Sequence, residues 1–92
     1  MTNEKKVYVV YNGNGMEVFT TMKDAIEYAS LGEDVYNNQW EEEIISMTSI
    51  RRDLRNWVQV SAYDRMGNHF TITPTVLHKR GSIHPYLPRG VA

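Results

Sequence analysis

The chain begins with a pattern typical of a β-hairpin. Residues 6–11 (KVYVVY) are rich in β-branched and aromatic residues, and residues 16–20 (MEVFT) resemble them. Between them, residues 12–15 (NGNG) tolerate the positive φ angles that a tight turn requires. We therefore predict two antiparallel strands joined by a tight turn.

An amphipathic helix is predicted directly after this hairpin. Apolar residues recur at the spacing of one helical stripe, at Met22, Ala25, Ile26 and Ala29. A hydroxyl at Thr20 or Thr21 can cap the first amides, and Gly32 suits the left-handed position at which helices end. The stripe is expected to pack across the hairpin, so that the helix covers one face of a sheet.

Residues 38–56 fit two patterns. The segment 44–50 (IISMTSI) is loaded with β-branched residues and serines, which helices disfavour. We therefore prefer a strand over about residues 42–51, followed by a turn at 52–56. The alternative is a second helix from residue 38 onward, which is supported by the roughly helical spacing of Trp40, Ile44, Met47 and Leu54.

The pattern becomes regular again at residue 57. Residues 57–63 (WVQVSAY) alternate, which places Trp57 and Tyr63 on the face opposite Val60. A turn is predicted at 64–68, after which residues 69–73 (HFTIT) return. Pro74 cannot donate to a ladder, so the strand should lie at an edge or bulge there before it resumes at 75–78.

The predicted fold is α+β, with an antiparallel sheet of about five strands and one helix packed on a face (β-β-α-β-β-β). Ninety-two residues provide one hydrophobic core. We predict a single domain over residues 1–78 and a basic, Gly- and Pro-containing C-terminal tail over residues 79–92.

Charge is distributed unevenly along the chain, although the net charge is only −1. Residues 1–43 carry nine acidic and three basic side chains, which gives −6, and residues 44–92 carry two acidic and seven basic ones, which gives +5. This asymmetry favours an electrostatic partner. The same asymmetry would also arise if the charged side chains of each half only kept their own part of the surface in contact with water.

The absence of cysteine excludes disulfides, thiolate metal sites and a cysteine nucleophile. Small secreted domains usually carry disulfides, and the first residues lack the apolar stretch of a signal peptide. No run approaches the roughly twenty apolar residues of a membrane span. We therefore expect a cytoplasmic protein that does not bind membranes.

No motif indicates catalysis, a metal or a cofactor. The histidines lack the paired spacing of metal sites, and no serine lies in a G-x-S-x-G turn. Carboxylates at adjacent positions 41–43 would point to opposite faces of a strand, which does not suit acid–base catalysis. We therefore predict a protein that is not an enzyme and has no cofactor.

Two segments are candidate contact surfaces. The first, here called the acidic-aromatic segment, suits docking onto a basic protein surface and consists of Tyr36, Trp40, Glu41, Glu42 and Glu43. In this segment Trp40 could be either a binding anchor or part of the core. The second suits phosphates and stacked bases and consists of Arg51, Arg52, Arg55, Trp57, Lys79 and Arg80, with Tyr63 as a further stacking platform. The nine carboxylates of residues 1–43 count against nucleic acid.

Residues 6–29 (KVYVVYNGNGMEVFTTMKDAIEYA) resemble small, mostly uncharacterised phage-encoded proteins that open with a hairpin and a T-x-x-D/E-A helix. The resemblance covers about a quarter of the chain and carries over no site residues. It implies a single-domain inhibitor that binds host machinery or host defence proteins.

The leading hypothesis is therefore a non-catalytic binding protein that acts by protein–protein contact. The alternatives are a nucleic-acid or nucleotide binder and a structural subunit that assembles, for example as a homodimer, through its sheet edges.

Overall fold

The computed structural model describes residues 4–78, which form an antiparallel sheet of six strands with two helices. In chain order the elements are β1 Glu4–Tyr11, β2 Met16–Phe19, α1 Met22–Ser30, β3 Val35–Tyr36, β4 Ile44–Ile45, α2 Met47–Arg55, β5 Val60–Tyr63 and β6 His69–His78. The strands lie side by side in the order β2-β1-β6-β5-β3-β4. The predicted α+β class is confirmed, with one strand and one helix more than predicted. Each of these helices is nine residues long, too short to cross a membrane.

The N-terminal hairpin and α1 form as predicted, because their signals are local. The Thr21 side chain caps the helix by accepting a hydrogen bond from the Asp24 amide (3.2 Å). At the other end Leu31 and Gly32 both adopt positive φ, and the Gly32 amide donates to the Glu27 carbonyl (3.1 Å).

The predicted strand over residues 42–51 is wrong. Only Ile44–Ile45 forms a strand, and α2 occupies residues 47–55, including most of the predicted turn. The Ser46 side chain caps this helix by accepting from the Ser49 amide (3.1 Å). Ile50 and Leu54, one helical turn apart, are both buried in the core, and this burial outweighs the low helix propensity of the segment. The alternative helix is confirmed only from Met47 onward, not from residue 38.

The last strand, β6, is an inner strand that continues through Pro74, so the predicted edge strand or bulge is not observed. It lies between β1 and β5, but β5 pairs only with residues 69–72. In the described chain, β6 beyond Ile72 therefore carries a ladder only on its β1 side, where Pro74 lies opposite Tyr8. Because this stretch is paired with β1 alone, Pro74 can disturb the hydrogen bonds to only one neighbouring strand.

The register of the ladders assigns the strand residues to two faces. The helix face carries Tyr8, Val10, Val60, Ala62, Phe70 and Ile72, which form one buried cluster with residues of α1 and α2. The opposite face, here called the far face, carries the alternate residues, including Val7 and Val9 of β1 and Tyr63 of β5. Both helices thus cover the same side of the sheet.

Candidate functional site

The loop between β3 and β4, residues 37–43, is closed and braced by hydrogen bonds. At its base the Asn37 amide donates to the Glu43 carbonyl (2.8 Å), and the Asn37 side chain donates to the Glu43 carboxylate (2.8 Å). Inside the loop Asn38 Oδ1 accepts from the amides of Trp40 (2.9 Å) and Glu42 (3.4 Å). These bonds fix the loop backbone around Trp40.

Trp40 is the most exposed aromatic side chain of this region, with 67% of its surface accessible. The alternative that Trp40 closes the core is therefore wrong. The next residue, Glu41, adopts a left-handed backbone conformation (φ 60°), and the side chains of residues 41–43 are exposed. The loop thus presents an indole beside three carboxylates on a fixed backbone.

The turn at residues 64–68 of the neighbouring β5–β6 hairpin is bonded to the α1–β3 connection through Arg65 and approaches this loop at Gly67. Arg65 Nη1 donates to Glu33 Oε1 (2.7 Å). The pKa of Arg65 is raised by this hydrogen bond and by the charge of Glu33, with a further contribution from the charge of Glu41. Gly67, at φ 85°, lies so close to the loop that a Cβ there would be 3.1 Å from the Gln39 carbonyl oxygen.

Gly67→Ala is expected to destabilise the domain more than Gly13→Ala. Both glycines have positive φ, so both substitutions carry a backbone cost of about 1–2 kcal/mol. Only position 67 adds a contact with Gln39, since nothing lies within 4 Å of a Cβ at position 13. We expect an additional loss of about 1 kcal/mol for Gly67→Ala in urea unfolding. Equal losses in the two variants would contradict the contact between turn and loop.

Tyr36 belongs to a row of side chains across the far face, here called the aromatic row. The ladders place Ile44 opposite Tyr36, Tyr36 opposite Tyr63, and Tyr63 opposite His69. Ile44 is 59% exposed, and the Tyr63 and His69 rings lie 5.1 Å apart between centroids. The row starts next to the Trp40 loop and extends over four strands. Ile44 and His69 were not predicted as site residues from the sequence, because only the strand register shows that they lie in one row with Tyr36.

Ser61 and His69 also meet on the far face, with 2.7 Å between Ser61 Oγ and His69 Nε2. A serine nucleophile needs a base that is itself oriented by a further group. Among the hydrogen bonds of residues 4–78, none joins His69 to a carboxylate. We interpret the pair as a cross-strand hydrogen bond.

The three arginines Arg51, Arg52 and Arg55 lie on the exposed side of α2. Arg51 borders a groove of about 330 Å³ between the helices, which is also lined by Glu27, Glu33 and Asp34. These carboxylates weaken the attraction of a phosphate to Arg51. Lys79 and Arg80, predicted to extend this surface, lie outside the described residues.

Trp57 does not share a face with Tyr63, so the predicted pair of stacking platforms is wrong. Trp57 follows α2 in a left-handed conformation (φ 65°) rather than on a strand. Lys6 Nζ lies 4.3 Å from the centroid of its ring and donates to the Leu54 carbonyl (2.8 Å). Lys6 therefore binds both a carbonyl at the C-terminal end of α2 and the Trp57 ring, and all three lie on the helix side of the sheet.

Lys6→Met is expected to lower the free energy of unfolding by about 1–2 kcal/mol. The variant keeps an apolar stem but removes the cation that binds the helix C-terminus and the Trp57 ring. Lys5→Met, an exposed neighbour on the other face, is the matched control and should change stability by less than about 0.5 kcal/mol. Urea unfolding measures both, and similar values for the two variants would show that the Lys6 contacts contribute nothing.

We compared the chain with protein-family models, with curated proteins and with solved structures, and none of the three comparisons found a match.

Proposed function

We propose that this chain is a small non-catalytic binding protein whose contact surface consists of the β3–β4 loop and the adjoining aromatic row. One observation carries the proposal: Trp40 is 67% exposed on a loop whose backbone is fixed by Asn37 and Asn38. Tryptophan is enriched among the residues that dominate binding energy at protein interfaces. A loop that is already ordered loses little conformational entropy when it binds.

The charges around Trp40 indicate the chemistry of the partner. The exposed carboxylates of residues 41–43 directly follow Trp40 in the loop, and the row from Ile44 to Tyr63 is uncharged. The complementary surface is an apolar pocket with a basic rim on another protein. Carboxylates in such an arrangement speed association and set orientation more than they add affinity.

A role as a phage-type inhibitor is consistent with this surface. The support is the resemblance of residues 6–29 to small phage-encoded proteins and the small size of the chain. In this role the protein would occupy a surface of a host enzyme or defence protein. Inhibition of this kind requires binding to the target and no catalytic step.

The test is capture of a partner by the full chain from a nuclease-treated bacterial lysate. The variant Trp40→Ala/Glu42→Lys removes the anchor and reverses one charge, while Arg51→Glu/Arg52→Glu alters α2 and leaves the loop intact. We expect one stoichiometric protein that is retained by the arginine variant and lost by the loop variant. Retention by the loop variant would refute this surface.

Nucleic-acid binding is the second candidate, because α2 presents three exposed arginines on one side. It predicts recovery of nucleic acid from an untreated lysate, abolished by Arg51→Glu/Arg52→Glu. Its affinity should fall steeply with salt, since the logarithm of the binding constant changes by about −0.9 per neutralised phosphate. Salt-tolerant binding to one protein would favour the first candidate.

A further inference from the structure

The turn between β1 and β2 contains two asparagines that are each followed by glycine, in the order Asn12, Gly13, Asn14 and Gly15. Where glycine follows asparagine, the next backbone amide can attack the side-chain carboxamide most readily, because glycine has no Cβ to hinder the approach. The sequence does not distinguish the two asparagines. The hydrogen bonds of the turn do distinguish them.

Asn12 is held by two hydrogen bonds inside the turn. Its amide donates to the Gly15 carbonyl (3.4 Å), and its Oδ1 accepts from the Asn14 amide (3.0 Å). Attack by the Gly13 amide would form a five-membered imide ring, which requires an asparagine backbone conformation outside the common regions. Asn12 has to give up these hydrogen bonds to reach that conformation, so the folded turn protects it.

Asn14 lacks this protection. Among the hydrogen bonds of residues 4–78, none uses the Asn14 side chain and none uses the Gly15 amide. Both residues are exposed, and both line an open hollow of about 150 Å³ beside the turn. A Cβ at Gly15 would meet nothing within 4 Å. The carboxamide, the attacking amide and an incoming water molecule therefore all have room at this position.

We propose that Asn14 is a site of spontaneous deamidation, with water as the co-reactant. The Gly15 amide loses its proton to solvent, and its nitrogen attacks Asn14 Cγ. A new C–N bond forms, the side-chain nitrogen leaves as ammonia, and the product is a cyclic imide. Water then opens one of the two C–N bonds of the imide ring, which gives aspartate or isoaspartate at position 14. The reaction consumes one water molecule for each ammonia released, and nothing is oxidised or reduced.

The product changes both the charge and the length of the turn. Aspartate and isoaspartate each add a carboxylate that is ionised at neutral pH. Isoaspartate also inserts a methylene into the backbone. The length of a hairpin turn sets the register of its strands, so the insertion disturbs the pair of Tyr11 and Met16 next to the turn.

The strand that loosens is β2, because it lies at the edge of the sheet and, in the described chain, pairs with β1 alone. Amide hydrogen exchange in β2 should therefore be faster in the deamidated chain. Unchanged exchange would contradict this effect on the strand.

The proposal is independent of the proposed function. β2 lies at one edge of the sheet, and β4, which ends the loop that carries Trp40, lies at the other. Deamidation at position 14 therefore alters the β1–β2 hairpin and leaves every residue of the proposed contact surface unchanged.

The test follows deamidation of the full chain over time in mildly alkaline buffer, once folded and once in urea. Fragment mass spectra locate the mass gained when oxygen replaces the NH group of a carboxamide, and chromatography separates isoaspartate from aspartate. Isoaspartate identifies the imide route, because direct hydrolysis of the carboxamide yields aspartate alone. Asn14→Ser removes the proposed site, and Asn12→Ser, in the same turn, is the matched control.

In the folded chain we expect position 14 to deamidate about tenfold or more faster than position 12, because a restraint worth about one hydrogen bond corresponds to roughly that factor. In urea, where the turn is lost, the two rates should converge. Asn12→Ser should retain the isoaspartate product, and Asn14→Ser should remove most of it. An equal or faster reaction at position 12 of the folded chain would overturn the proposal, and so would aspartate without isoaspartate.

Discussion

Phe70→Ala is expected to remove about 3–5 kcal/mol of the free energy of unfolding. Phe70 is among the largest fully buried side chains, and it lies on β6 between β1 and β5 in the cluster that contains both helices. At about 0.05–0.15 kcal/mol per residue, a chain of this size has about 5–14 kcal/mol in total. The substitution would leave the domain marginal or unfolded.

Phe19→Ala is the matched control for this prediction. Phe19 lies on the edge strand β2, is only half-buried and packs against Tyr28 with 5.1 Å between ring centroids. Because more water already reaches it, its removal should cost about 1–2 kcal/mol. Urea unfolding followed by circular dichroism measures both variants. Comparable losses would mean that the core is not centred on β6.

The N-terminal part of the fold could be predicted because its determinants lie within a few residues of one another. The glycines of the turn after Tyr11 and the cap at Thr21 act on their own neighbourhood, and the structure confirms both elements. In contrast, residues 44–50 have local preferences for a strand. Their helix forms because Ile50 and Leu54 find a core built from strands far along the chain, and no local pattern contains that information.

The candidate site, too, could be predicted from the sequence only where its residues are close together along the chain. Trp40 and its carboxylates were recognised as a segment because they adjoin in sequence. The hydrogen bonds of Asn37 and Asn38 that fix the loop depend on its closure between β3 and β4. The aromatic row depends on the pairing of four strands, so Tyr36 was predicted without its neighbours. The residue type alone therefore predicted Trp40 as a binding anchor. The residues that lie beside it on the sheet could be found only from the strand register.

Trp40→Ala is expected to weaken binding to the captured partner by about 30–1000-fold. An interface tryptophan that fills a pocket contributes about 2–4 kcal/mol, and each 1.4 kcal/mol corresponds to about tenfold in the dissociation constant. The fold should be unaffected, since the side chain is largely exposed and the loop is held by the backbone amide of Trp40 and not by its indole. Titration calorimetry with the purified partner gives the dissociation constant.

Trp57→Ala provides the decisive comparison, because it removes the other tryptophan of the chain, which is also about half exposed (52%). Its ring contacts the Lys6 ammonium at the C-terminus of α2, so its loss should reduce stability while leaving affinity within about threefold of the original. If Trp57→Ala weakens binding more than Trp40→Ala does, the contact surface lies on α2 and the arginines, not on the loop. If only Trp40→Ala weakens it, exposure on a preorganised loop, rather than tryptophan itself, determines where this protein binds.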